Sequence, residues 1–175
     1  IAVAAHMCIR KESLMVEEQI NLLAFYKGWD AYQALLITAI APLSSAQLAL
    51  RVAPQLRSVG ENVAHIISGR VSNFLVLGEA DAEIALLEKW DVDGAPPRSA
   101  AELVRGLETT WQMIQNALVR WTPANLEDIF VDGQGENDPH LTRQSIIWST
   151  IKHDLHHSGE VSLTLGAHHV DALDL

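Results

Sequence analysis

The sequence predicts an all-α fold, a bundle of four long helices joined by short extra helices. Four proline-free stretches, at residues 13–41, 58–77, 99–122 and 142–165, carry apolar side chains at helical spacing. Each is followed at once by a stop signal, Pro42, Gly78, Pro123 and Gly166. Ser58-x-x-Glu61 and Ser99-x-x-Glu102 open two of them with the reciprocal pattern that satisfies the first free backbone N–H groups of a helix. With 175 residues, 49% of them apolar and 19% charged, the chain fits one domain, 1–175, large enough to bury its own core.

The N-terminus, Ile-Ala-Val-Ala-Ala-His-Met, has neither a basic start nor a full apolar stretch, and so makes a poor signal peptide. Residues 1–12 are expected to be a tag or disordered arm, with Met7 the natural start. The first helix is expected over Ser13 to Ala41, with Leu14, Ile20, Leu23, Tyr26, Leu35 and Ile40 along it and Gly28 loosening its middle. Ser44-Ser-Ala-Gln47 begins a short helix that Pro54 ends. The second long helix runs from the Ser58 cap to about Leu77. On it Val63, Ile67 and Phe74 form one stripe, and His65 lies nearly opposite, beside Glu61, Ser68, Gly69 and Ser72. Asp81 to Trp90 reads as another short helix, and Asp91-Val-Asp-Gly-Ala-Pro-Pro-Arg as a loop. The third long helix carries Leu103, Leu107, Trp111, Ile114 and Leu118, with Trp111 and Trp121 expected in the core. Residues 124–141 form a long connection, either a lid or a flexible crossover. The last helix begins at Thr142 and is expected to stop at Gly166.

Twelve basic against 22 acidic residues give a net charge of −10, and no basic cluster offsets it, so nucleic acid is not an expected partner. No apolar run approaches the ~20 residues that span a bilayer, so no membrane association is expected. A single cysteine, Cys8, leaves no intramolecular disulfide and suits a reducing cytoplasm. No nucleophile elbow, phosphate loop, dinucleotide fingerprint or His-Glu-x-x-His motif occurs.

The chemistry concentrates in Lys152-His-Asp-Leu-His-His-Ser-Gly-Glu160. His153 and His157 are one helical turn apart, which brings two imidazoles close enough to share a metal ion. The same spacing also occurs on solvated faces. His65, on the second helix, is the candidate third ligand, and three histidines would leave coordination positions open, as in a catalytic site. Periodicity alone leaves His65 equally readable as a surface residue. Glu160 lies three residues beyond His157, where it can accept that ring's free N–H or simply form a local helix pair. His156 projects between the two faces and is not expected to be a ligand, and Trp148, Ile151 and Leu155 point well away from the histidines. Apolar residues on two sides suit a helix that serves both a bundle interior and a dimer interface.

Glu61-Asn-Val-Ala-His65-Ile, together with Trp148-x-x-x-x-His153-Asp-Leu-His-His157-Ser-Gly-Glu160-Val-Ser-Leu, resembles the DinB-like family of metal-binding bundles. The resemblance extends from Trp29 to Gly166. It implies an up-down-down-up helix order with a long crossover, a homodimer, and His65, His153 and His157 as ligands of a divalent metal, zinc or nickel foremost. It also implies a metal-dependent S-transferase that uses a low-molecular-weight thiol on a small-molecule substrate, in detoxification or stress response. Two other functions stay open: a metal-dependent hydrolase, and a non-enzymatic stress-related binding protein with a structural metal.

Overall fold

The computed structural model describes residues 21–131 and 141–173. Helix α1 spans Lys27–Ile40, α2 Ser45–Leu48, α3 Val59–Val76, α4 Ala100–Arg120 and α5 Arg143–Ala167. Three 3-10 segments, Leu22–Ala24, Ile84–Asp91 and Pro123–Glu127, lie between or before them. No strand forms among the described residues, and none of their helices is long and apolar enough to cross a membrane. The four long helices α1, α3, α4 and α5 make the expected bundle.

Helices α2, α3, α4 and α5 each open on a complete capping box, at Ser44/Gln47, Ser58/Glu61, Ser99/Glu102 and Thr142/Ser145. Such a cap typically stabilises a helix by about 1 kcal/mol, because it satisfies backbone donors that no helical carbonyl can reach. Helix α3 ends as its sequence indicates. Gly78 takes φ 71°, and the N–H groups of Gly78 and Glu79 donate to the carbonyls of Leu75 and Phe74.

Four expectations need correction. The described part of the first segment is not helical before Lys27, because the Leu22 N–H donates across to the Trp121 carbonyl and a tight turn follows. Gly28 therefore sits in the first turn of α1, not its middle. The short helix after Ser44 closes at Leu48, well before Pro54, and residues 84–91 wind as a 3-10 segment after Asp81 Oδ1 accepts from the N–H groups of Glu83 and Ile84. Helix α5 continues through Gly166 to Ala167, and the left-handed residue that terminates it is His169, at φ 56°. The Val170 and His169 N–H groups then close on Leu165 and Gly166, the bonding pattern that Gly78 makes possible for α3. The expected tag or arm at 1–12 and the centre of the expected lid, 132–140, lie outside the described residues. The two ends of that connection are tied together, with the Phe130 N–H on the Leu141 carbonyl and the Arg143 N–H on Asp128.

Helix α3 is the central element, buried on almost every side and packed chiefly against α5 and the 84–91 segment. Val63, Ile67 and Phe74 are fully buried, as are Leu107, Ile114 and Leu118 of α4. Trp111 and Trp121 join the same core. Within this apolar interior stands a polar junction. The Arg70 guanidinium, on α3, donates from Nε to Asp154 Oδ2 on α5 at 2.9 Å, and both side chains are completely buried. Trp29 Nε1 donates to the same carboxylate, and Tyr32 OH to the Asp154 backbone carbonyl. Arg70 Nη1 donates to Gln33 Oε1, and Gln33 Nε2 in turn to the Leu107 carbonyl, so α1 and α4 are drawn in as well. Burial pushes the Asp154 carboxyl upward in pKa and the adjacent guanidinium opposes that shift.

Removing one member strands the other charge in the interior. Asp154→Ala is expected to cost about 3–5 kcal/mol in denaturant unfolding of chelator-treated protein, whereas the double variant Arg70→Met/Asp154→Leu should cost much less. A loss below ~1 kcal/mol for the single variant would show that the pair carries no such weight.

Candidate metal centre

Three histidines from two helices meet beside this junction. His65 of α3 and His153 and His157 of α5 have ring centroids 4.6, 4.3 and 4.6 Å apart, taken as 65–153, 65–157 and 153–157. Each offers one nitrogen to a cluster in which all such atoms lie within 4.8 Å of one another. Nε2 of His153 lies 3.0 Å from Nε2 of His65. Metal–imidazole bonds of about 2.0–2.1 Å give polyhedron edges of roughly 2.9–3.4 Å, so that pair already has the separation of two donors on one ion.

The sequence positions each ring through its neighbours. Gly69 and Arg70 are adjacent on α3, and His153 and Asp154 on α5. The Arg70–Asp154 pair faces the core, and the contact one residue earlier on each helix forms the floor of the histidine site. A Cβ at Gly69 would come within 2.4 Å of His153 Cε1 and 2.8 Å of its Nδ1, so only glycine lets the ring lie there. The polar face of α3 is partly covered, with Ser68 buried and His65, Gly69 and Ser72 half-buried. Ser68 Oγ donates to the Glu88 carbonyl and Ser72 Oγ to the Glu88 carboxylate, clipping the 84–91 segment over it. Gly106 of α4 makes room for the Trp90 ring in that segment.

The clip delivers a residue that sequence reasoning assigned only to a loop. Asp91, the last residue of the 3-10 segment, lies 2.6 Å through Oδ2 from His65 Nδ1. No spacing rule marks a partner 26 positions away. Glu160 stands where the last helix predicts it, with Oε2 2.7 Å from His157 Nδ1. A carboxylate on Nδ1 fixes that nitrogen as the donor, so Nε2 is the atom that His65 and His157 turn towards the cluster. His153 Nδ1 faces Gly69 and has no hydrogen-bond partner.

Electrostatics favours the same state. Burial first, then the charges of His65 and His157, hold the His153 pKa down to about 4, and burial lowers His157 against the opposing pull of Glu160. Both rings are therefore neutral near pH 7. The His156 side chain is 67% exposed and outside the triad. His168, just past α5, bonds through Nε2 to the Arg51 carbonyl. Asp132, Glu136, Asp138 and His140 of the connection before α5 lie outside the described residues. Three imidazoles, two of them backed by carboxylates, suit zinc, nickel, copper or iron, so this chain can hold such an ion.

The sequence matches the DinB superfamily over residues 25–161. Among solved structures, a DinB-like protein from Bacillus cereus superposes with a TM-score of 0.71 at 18% identity, covering 90% of this chain and 99% of that one. That likeness shows a common fold. No curated protein matches the chain.

Gly69→Ala provides a clean probe, because alanine favours a helix interior by up to about 1 kcal/mol and the fold should persist. The added methyl is expected to displace His153 and weaken metal affinity by at least the ~10–100-fold typical of losing an outer partner. Chelator competition measures it, and unchanged affinity would mean that His153 is not held where a ligand must be.

Proposed function

This chain belongs to the DinB superfamily, and we propose that it is a metal-dependent S-transferase in which His65, His153 and His157 hold a divalent ion, zinc or nickel. The observation that carries this reading is the convergence of three imidazoles with the Nδ1 atoms of two of them engaged by Asp91 and Glu160. A divalent ion bound by neutral rings keeps its full charge and lowers the pKa of a thiol near it, which supplies a nucleophile close to neutral pH.

The residues of the chain do the rest. Asp91 and Glu160 keep two rings in one tautomer and orient them. Gly69 admits the third ring, and the Arg70–Asp154 pair keeps α3 and α5 in register beneath it. In the overall reaction the thiol sulfur bonds to an electrophilic carbon of a small-molecule substrate, the leaving group departs with the bonding pair, and the thiol proton passes to solvent. Consumption of electrophiles is the chemistry of detoxification and stress response. The outer side of α5 supports pairing of two copies, since Trp148 is 60% and Leu155 46% exposed on one stripe.

Zinc- or nickel-loaded protein, prepared without a histidine tag, should transfer N-acetylcysteine to an aryl halide, and His153→Ala should fall to the background rate. No rate above that control would overturn the assignment. Turnover of an ester or amide without thiol would favour hydrolysis, and a metal that only raises the melting temperature would favour a structural site. In the same preparation sedimentation is expected to read twice the chain mass, and a single-chain mass would remove the dimer.

A further inference from the structure

A cavity of about 880 Å³ lies next to the triad, between the end of α2, the first turns of α3 and α4, and the 90–99 connection. Its size is that of a small-molecule site. Asp91 belongs both to its wall and to the hydrogen bond that orients His65, so cavity and triad share a residue. In a chain with a net charge of −10, three arginines, Arg51, Arg57 and Arg98, line this one cavity.

The charges around it are unequally committed. Glu61 and Glu102 are tied into the capping boxes of α3 and α4, and Arg51 is taken up by Glu61 and the Leu56 carbonyl. Asp91 is engaged by His65, and Asp93 stands at the rim. The other two guanidinium groups are held more loosely, each in a long ion pair. Arg57 Nη2 lies 3.7 Å from Asp91, beyond hydrogen-bond range, and its side chain is 44% exposed. Arg98 rests on the Trp90 ring, donates from Nη1 to Glu102 over 3.5 Å, and keeps a buried Nε without a partner.

Arg57 is the harder of the two to explain. It stands beside the carboxylate that orients His65. A guanidinium beside three imidazoles opposes the binding of any cation there. Planar guanidinium groups with N–H donors to spare are suited to carboxylates.

We propose that this cavity binds a carboxylate-bearing small molecule, with Arg57 and Arg98 as the groups that recognise the carboxylate. Resting on the transferase reading above, the molecule is the thiol cosubstrate, anchored by its carboxylate in the cavity while its sulfur reaches the triad. The neutral counterpart of such a thiol lacks that anchor.

N-acetylcysteine and N-acetylcysteamine differ by that carboxylate and are titrated into cobalt-loaded protein, following the visible spectrum of the metal. The carboxylate-bearing thiol is expected to bind roughly tenfold more tightly, an advantage of the size that a charge-assisted pair supplies. Arg57→Met should close the gap between the two thiols, and Arg98→Met should narrow it. Equal affinities in the unaltered protein would overturn the inference and leave the thiol reading standing. If neither thiol changes the spectrum, the transferase reading falls instead, and succinate binding measured by calorimetry decides the cavity by itself. Binding that Arg57→Met abolishes supports a carboxylate site, and no binding, or binding the variant retains, overturns it.

Discussion

The ion pair between Arg70 and Asp154 is the constraint on which the rest of the structure depends. A fully buried pair adds little net stability, because desolvating two charges offsets most of their attraction. What it does is penalise every other arrangement. A slip of α3 against α5 by one turn, about 5.4 Å, would leave both charges in the core without partners. Trp29, Tyr32 and Gln33 of α1 bond into the same junction and Gln33 carries it on to Leu107 of α4, so all four long helices share one register. The histidine site lies one residue before it on each helix, where Gly69 meets His153. The precision needed to bring three rings together is thus set in the core and only expressed at the surface.

Most local structure was legible in the sequence because it is set by local interactions. The capping boxes at Ser44, Ser58 and Ser99 begin helices as their patterns indicate, and Gly78 ends α3. Where local signals misled, a longer-range contact prevailed. The bond from Leu22 to Trp121 holds the chain out of helix ahead of Lys27. At the other end, a Gly166 read as a stop proved to be an ordinary helical residue, since His169 accepts the left-handed conformation once its neighbours close the turn.

The site divides in the same way. His153 and His157 can be paired from their spacing alone, and Glu160 follows from the same helix. His65, a candidate third ligand, could be read either way by periodicity, and family resemblance favoured the pocket. The 84–91 segment lies along that face of α3 and leaves His65 half-buried. Asp91, Arg57 and the Arg70–Asp154 pair carried no local signal, because their partners are brought near only by the fold.

The central claim is that His65, His153 and His157 grip a single ion through their Nε2 atoms. Cadmium-113 loaded into protein with nitrogen-15-labelled histidine tests it most directly, since scalar coupling appears only across a metal–nitrogen bond. The account predicts one cadmium resonance coupled to the Nε2 atoms of those three residues, with the Nδ1 protons of His65 and His157 retained. Coupling to fewer than three rings, or through an Nδ1 atom, would contradict it.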